Sequence, residues 1–274
     1  MGVPYAELIG DPVAHSKSPL IHRFWLEKLR MEGDYRLVRL PADGLATYFA
    51  SRRTDPEWRG CNVTLPYKQK IMPLLDEERI YATDAVNCVV REEGRLIGFN
   101  TDAAGVGAAL DDGIDTGAPV CIIGAGGAAS AAVAQLDILA VFQVNVIVRS
   151  RARGSALVEP YGEYGKVYSF HSAREAIRGC VALINATPLG MRGFEPMPET
   201  VLASLGQLSA EAFVLDMVYS PVRTDLLCRA QKQGLRAVDG LTVLIGQARQ
   251  AFRYFFGADA PREHDAELRR LLLK

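Results

Sequence analysis

The sequence predicts an α/β protein in two parts, an N-terminal α/β domain followed by a doubly wound parallel sheet. Three observations carry that prediction. Short apolar runs alternate with helical stretches along the chain, the arrangement that a parallel sheet covered on both faces requires. From Thr101 onward the alternation becomes a regular strand–helix repeat. One junction of that repeat, Val120 to Ala129, passes from strand to helix through a glycine-rich turn.

The elements follow in order. Tyr5 to Ile9 reads as a strand closed by Gly10-Asp11-Pro12. Ser18 with Pro19 reads as an N-cap followed by proline at the first helical position, opening a helix to about Met31. Tyr35 to Leu40 is a strand and Leu45 to about Ser51 a helix. Gly60 to Thr64 is a strand stopped by Pro66, with a helix beginning near Lys68. Ala85 to Arg91 and Leu96 to Asn100 form a hairpin around Glu92-Glu93-Gly94. Ala103 to Leu110 is a helix, Val120 to Ile123 a strand, Gly127 to Leu139 an Ala-rich helix, Gln143 to Val148 a strand and Arg153 to Val158 a helix. Lys166 to Phe170, Val181 to Asn185, Phe213 to Asp216 and Arg236 to Val238 supply four more strands. Leu241 to Phe256 and Glu263 to Leu273 are helical, with Pro261 between them.

Composition narrows the function. The 274 residues are 49% hydrophobic and 23% charged, enough apolar content for a substantial core. A net charge of −1 removes the electrostatic footprint of a nucleic-acid binder. The apolar run Val141 to Val148 is interrupted by Gln143 and Asn145 and falls short of the roughly 20 residues a membrane span needs. The N-terminal segment lacks the basic and apolar regions of a secretory signal, so the expected location is the cytoplasm. Cys61, Cys88, Cys121, Cys180 and Cys228 are odd in number and widely spaced, which fits reduced cysteines acting as small hydrophobes; no metal site is expected.

The turn Gly124-Ala125-Gly126-Gly127-Ala128-Ala129 matches G-x-G-x-x-A after a strand and before a helix. Its first glycine permits the tight turn, and its second lets backbone amides approach a pyrophosphate at a helix N-terminus. These features predict a Rossmann-like nucleotide-binding domain. The next strand ends Val148-Arg149-Ser150-Arg151-Ala152-Arg153, with no acid placed to hold a ribose 2′-hydroxyl. Guanidiniums and a hydroxyl instead suit a 2′-phosphate, so NADP is expected over NAD.

Two other strand ends gather polar groups. Gly60 to Lys68 offers Asn62, Thr64 and Lys68, and Gly98 to Asp102 offers Asn100, Thr101 and Asp102. This is an inventory for holding a hydroxyl-rich small molecule and moving one proton on it. Lys68 and Asp102 form the candidate acid–base pair, because in a nicotinamide enzyme the protein must handle the alcohol proton. Ser16 and Ser18, beside a helix start, read either as capping and solvated hydroxyls or as two hydroxyls that grip a carboxylate. Asn185-Ala186-Thr187-Pro188 ends a strand of the parallel sheet and faces its ligand crevice.

Taken in order, these segments resemble the shikimate dehydrogenase family across nearly the whole chain. The matching runs are Gly10 to Pro19, Asn62 to Lys68, Ala85-Val86-Asn87, Asn100-Thr101-Asp102, the glycine-rich turn, Asn185 to Pro188, Asp216-Met217-Val218-Tyr219 and Asp239-Gly240-Leu241 through Gln247. The resemblance implies reversible, NADP-linked reduction of 3-dehydroshikimate to shikimate in aromatic biosynthesis, with the protein a monomer or homodimer. It implies that Ser16 and Ser18 bind the substrate carboxylate and that Asn62, Thr64, Asn87, Asp102, Tyr219 and Gln247 surround the ring hydroxyls. Lys68 would be the acid–base residue with Asp102 beside it. Gly124, Ala125, Gly126, Gly127 and Ala128 would carry the pyrophosphate, Arg149, Ser150 and Arg153 the 2′-phosphate, and Thr187, Met217 and Gly240 the nicotinamide side. It also implies a discontinuous substrate-binding domain, residues 1–102 and 239–274, around a nucleotide-binding domain at 103–238. Two departures stand out: Val148 replaces the usual asparagine of Asn-Arg-Thr, and Cys88 follows Ala-Val-Asn in place of threonine. The alternatives are a quinate/shikimate paralogue that uses NAD and a non-catalytic NADPH-binding sensor on the same fold.

Overall fold

The first sheet of the protein begins with strand β1 (Tyr5–Gly10), which alternates Tyr5, Glu7 and Ile9 on one face with Ala6 and Leu8 on the other. The computed structural model describes residues 2–81, 83, 85–110 and 113–274. It separates into two units, Met1–Thr101 with Gln247–Lys274, and Asp102–Gly246.

Unit 1 continues with α1 (Ser18–Lys28), β2 (Asp34–Arg39), α2 (Leu45–Arg53), β3 (Trp58–Val63), the two-residue β4 (Glu77–Glu78), β5 (Cys88–Glu92) and β6 (Arg95–Phe99). The sheet order is β2-β1-β3-β5-β6-β4, with β1 parallel to both neighbours and β5 antiparallel to β3 and β6. Glu93 and Gly94 both have positive φ (51° and 80°), so the β5–β6 hairpin turns on the two-residue geometry that matches strand twist. One face buries Tyr5, Ile9, Cys61, Val63 and Leu96 against Leu45, Tyr48 and Phe49 of α2. The other buries Ala6, Leu8, Tyr35, Cys88 and Val90 against Ala251 and Phe255.

Unit 2 contains α3 (Asp102–Ala109), β7 (Val120–Ile123), α4 (Gly127–Ile138), β8 (Val144–Ile147), α5 (Arg151–Val158), β9 (Gly165–Tyr168), α6 (Ala173–Ile177), β10 (Ala182–Asn185), α7 (Glu199–Leu202), β11 (Phe213–Asp216), α8 (Asp225–Lys232) and β12 (Arg236–Val238). Its sheet is wholly parallel, in the order β12-β11-β10-β7-β8-β9, so the order reverses between β7 and β10. That reversal is the switch point at which doubly wound sheets take up ligands. Alanines and Leu136 of α4 cover one face, and α6, α7 and α8 cover the other. The last helices are α9 (Gly240–Phe256), which belongs to unit 2 through Gly246 and to unit 1 from Gln247, and α10 (Asp265–Leu272) in unit 1. Among the described residues no helix is long and apolar enough to cross a membrane.

The predicted mixed α/β class and the Rossmann-like sheet are what the chain adopts. Two local readings change. No α-helix follows Lys68: an Ile71 N–H to Tyr67 carbonyl bond starts a helical turn, but a 3-10 turn at Met72–Leu74 replaces its continuation. Pro73 inside that turn lacks the N–H that a further helical turn needs, and its ring clashes with the preceding turn. Ser18 is the first residue of α1 and not its cap; Lys17 holds the cap position and makes no side-chain capping bond. The short α6, α7 and α8 were not separated from loop by sequence pattern, although Thr224 caps α8 through its hydroxyl oxygen, which accepts from the Leu227 N–H.

Candidate active site

In unit 1 the polar strand ends meet. Ser16 donates its hydroxyl to Ser18 Oγ at 3.1 Å, and the Ser18 N–H donates back to Ser16 Oγ at 3.2 Å. Tyr35 donates to Asn62 Oδ1 at 2.7 Å, and Asn62 Nδ2 donates to the Asn87 carbonyl at 3.2 Å. Asn87 Oδ1 accepts the Thr101 N–H at 2.7 Å while Asn87 Nδ2 donates to Thr101 Oγ1 at 3.1 Å. The Thr101 hydroxyl reaches Gln247 Oε1 at 3.2 Å. One chain of hydrogen bonds therefore links Asn62, Asn87 and Gln247 through Tyr35 and Thr101, and Ser16 and Ser18 form a bonded pair of their own; all but Tyr35 were singled out in the sequence. Ser18, Tyr35, Asn62, Asn87 and Thr101 are buried, so their polar groups must be satisfied by one another.

Thr64 and Lys68 flank this chain along β3. The Thr64 N–H donates to the Ile9 carbonyl and its carbonyl accepts the Tyr67 N–H at 3.0 Å, closing the turn that carries Lys68. Tyr67 is buried and donates its hydroxyl to the Leu40 carbonyl at 2.6 Å. The Lys68 carbonyl accepts the Val86 N–H at 2.9 Å, so the backbone under the half-buried ammonium side chain is held from both sides. Asp102 opens α3 as the first residue of unit 2.

In unit 2 a pocket of about 510 Å³ lies at the carboxyl ends of the strands, lined by Gly124 to Gly126, Val148 to Ser150, Arg153, Phe170, Thr187 and Phe194 with Glu195. Gly124 sits at φ +113°, and a Cβ there would come 2.7 Å from Thr187 Cγ2, so only glycine permits this turn beside β10. A Cβ on Gly126 would meet nothing within 4 Å; with glycine there the N-terminus of α4 is open to an incoming anion. Arg149, Ser150 and Arg153 are exposed on the rim. Ser150 caps α5, its Oγ accepting the Arg153 N–H at 3.5 Å, and Arg149 is ion-paired with Glu195. Gly127 and Ala128 form the first turn of α4. These donors fit a phosphorylated dinucleotide: amides at a helix start for pyrophosphate and guanidiniums at the end of β8 for a 2′-phosphate.

Thr187 is fixed by Asn185, whose Oδ1 accepts the Thr187 hydroxyl at 2.6 Å and the Thr187 N–H at 3.1 Å. Asn185 Nδ2 donates to Asp216 Oδ1 at 2.9 Å, and Thr224 donates to Asp216 Oδ2 at 2.6 Å. Burial raises the Asp216 pKa against these donors, and burial likewise raises that of the Tyr219 phenol. Gly240 touches Met217: a Cβ on Gly240 would lie 2.4 Å from the Met217 carbonyl oxygen, which brings these two sequence candidates together.

Comparison with known proteins places these features. The family profile for the shikimate dehydrogenase substrate binding domain matches residues 8–89. A shikimate dehydrogenase (NADP(+)) of Sphingopyxis alaskensis is 48% identical over 273 residues, 98% of this chain and 97% of that protein. The chain belongs to the shikimate dehydrogenase family. Among solved structures, shikimate 5-dehydrogenase of Thermus thermophilus in complex with NADP(H) and shikimate superposes with a TM-score of 0.84 at 34% identity, covering 98% of this chain and 100% of that one. The Listeria monocytogenes enzyme in complex with shikimate and NAD gives a TM-score of 0.87 at 30% identity, covering 98% and 96%. As a shikimate dehydrogenase family member, the chain joins its sequence candidates through Thr101, which the Asn-Thr-Asp run already offered, and through Tyr35, which had no role assigned from sequence. Tyr35 carried no signal beyond being an aromatic in a strand, which reads as core.

Proposed function

We propose that the protein catalyses the reversible, NADP-linked interconversion of 3-dehydroshikimate and shikimate, as a cytoplasmic step of aromatic biosynthesis. The observation that carries this reading is the hydrogen-bonded chain from Asn62 to Gln247, with the Ser16–Ser18 hydroxyl pair in the same unit, which supplies hydroxyl and amide groups for a small polyhydroxy acid. When NADP is bound, its nicotinamide supplies or takes up the hydride.

The rest is work for the chain's own residues. Ser16 and Ser18 donate hydroxyls to the substrate carboxylate, a change that needs only rotation of two O–H groups. Asn62, Thr64, Asn87, Tyr219 and Gln247 hold the ring hydroxyls. Lys68 passes a proton to the oxygen of the carbonyl being reduced and recovers it in the reverse direction. Asp102 orients that ammonium and binds the neighbouring hydroxyl. Arg149, Ser150 and Arg153 hold the 2′-phosphate, Gly124 to Ala128 the pyrophosphate, and Thr187, Met217 and Gly240 the nicotinamide edge.

Val148 in place of the family's asparagine, and the Glu195 carboxylate on Arg149, favour a second reading in which NAD is also accepted. Steady-state assays crossing shikimate and quinate with NADP and NAD test both. A preference for shikimate with NADP is expected, and Lys68→Ala should keep substrate and cofactor binding while losing most turnover. Normal turnover by Lys68→Ala would remove the lysine from the mechanism, and activity confined to quinate with NAD would replace the leading reading.

A further inference from the structure

We propose that Tyr35 is a positioning residue, whose hydroxyl holds the Asn62 side-chain amide in place for substrate. The inference rests on the assignment of Asn62 to the substrate site.

The argument is one of donors and acceptors. A tyrosine hydroxyl has a single proton, and here it goes to Asn62 Oδ1 at 2.7 Å. Asn62 Nδ2 donates to the Asn87 backbone carbonyl at 3.2 Å, which can only accept, so Oδ1 faces Tyr35 and the Tyr35 proton holds it there. Farther along, the Thr101 N–H fixes the orientation of Asn87, and the Thr101 hydroxyl lies within reach of both Asn87 Oδ1 and Gln247 Oε1. The two asparagine orientations thus follow from one backbone carbonyl and one backbone N–H, and Tyr35 supplies the second hold on Asn62.

The ring is held as firmly as its hydroxyl. Tyr35 is fully buried on β2, and its register partner on β1 is Ala6, small enough to let the ring cross β1 toward Asn62 on β3. His22 stacks on the ring at 4.1 Å and 7° between planes. Neither His22 ring nitrogen has a hydrogen-bond partner among the described residues, so the histidine contributes its face and leaves the tyrosine hydroxyl to Asn62. Removing the hydroxyl would leave a buried amide oxygen without its donor, and Asn62 would be held only at Nδ2 by the Asn87 carbonyl. The substrate would then meet an Asn62 side chain free to swing about its one remaining hydrogen bond.

Tyr35→Phe deletes the hydroxyl and keeps the ring. The expected result is a rise of about tenfold in KM for shikimate, equivalent to ~1.4 kcal/mol, with kcat and KM for NADP within about twofold of wild type. In an Asn62→Ala background the same substitution should change KM for shikimate by less than about twofold, because the group it acts through is gone. His22→Phe disturbs the same packing without touching the hydroxyl and should shift the thermal midpoint without shifting KM. An unchanged KM in Tyr35→Phe, full additivity with Asn62→Ala, or a Tyr35→Phe chain that no longer folds cooperatively would overturn the proposal. Wild-type protein that neither binds nor turns over shikimate would instead remove the underlying functional reading, and the positioning role with it.

Discussion

Replacing His22 by Phe should take away a defined part of the fold's acid sensitivity. His22 is fully buried on α1, stacked on Tyr35 and set edge-on to Trp25 at 5.8 Å, with Phe252 and Phe255 at 5.9 and 6.1 Å. Burial pushes its pKa down from 6.5 to about 3, so the native ring is neutral at every pH of interest. Tyr35, raised well above the ordinary phenol range by its own burial, is neutral there too. The unfolded chain takes up the proton near pH 6.5, whereas the native protein takes it up only near 3. Between those values the unfolded state binds more protons, so stability is complete above pH 6.5 and falls as the pH falls.

At 1.36 kcal/mol per unit, the full window is worth about 5 kcal/mol, and the part lost between pH 8 and pH 5 about 2 kcal/mol. Stopping at pH 5 keeps other groups out of the measurement: Asp55, held low by the Tyr5 hydroxyl, and Asp76, held low by Arg53, give up their contributions only in more acidic solution. Urea unfolding at pH 8 and pH 5, extrapolated linearly, gives the difference for each protein. Wild type should lose about 2 kcal/mol more than His22→Phe over that interval, whatever the packing effect of the larger ring at pH 8. Equal losses in the two proteins would refute the reasoning and show that the ring reaches solvent or finds a proton acceptor.

Two further outcomes are expected. Glu195→Gln should lower KM for NADP by up to about fivefold and leave KM for NAD unchanged, because Glu195 occupies the Arg149 guanidinium that a 2′-phosphate needs and an exposed ion pair is worth at most about 1 kcal/mol; equal shifts for both cofactors would separate Glu195 from the phosphate. Arg52→Met should cost about 3–5 kcal/mol in urea unfolding, since it strands the buried Glu7 carboxylate with only Tyr48, and adding Glu7→Gln should recover part of the loss. A double variant as unstable as Arg52→Met alone would show that packing, not the stranded charge, sets the cost.

The parallel sheet was legible because its signals are local. Val120–Ile123 is a single apolar run and Phe213–Asp216 opens on one, and the glycine turn after Val120–Ile123 announces both the helix and the anion site. Short helices such as Ala173–Ile177 and Glu199–Leu202 span barely more than one turn, too little for a periodic pattern to emerge. The missing helix after Lys68 was decided by a single residue, Pro73, set against otherwise permissive neighbours. The site divides along the same line. Asn62 and Thr101 could be found because polar side chains at the ends of apolar strands are out of place locally, whereas Asn87 came only with the family resemblance. Tyr35 could not, because an aromatic in a strand is in place locally and only the β2-β1-β3 order carries its hydroxyl across the sheet to Asn62, 27 residues along the chain. Glu195 escaped for the same reason: a glutamate in an exposed loop is unremarked until the fold sets it on Arg149, 46 residues away in sequence. Residues that act by donating to a motif side chain are therefore to be sought among core-looking polar aromatics one strand removed from that motif. The cycle joining Tyr35 and Asn62 tests that rule as much as it tests the residue.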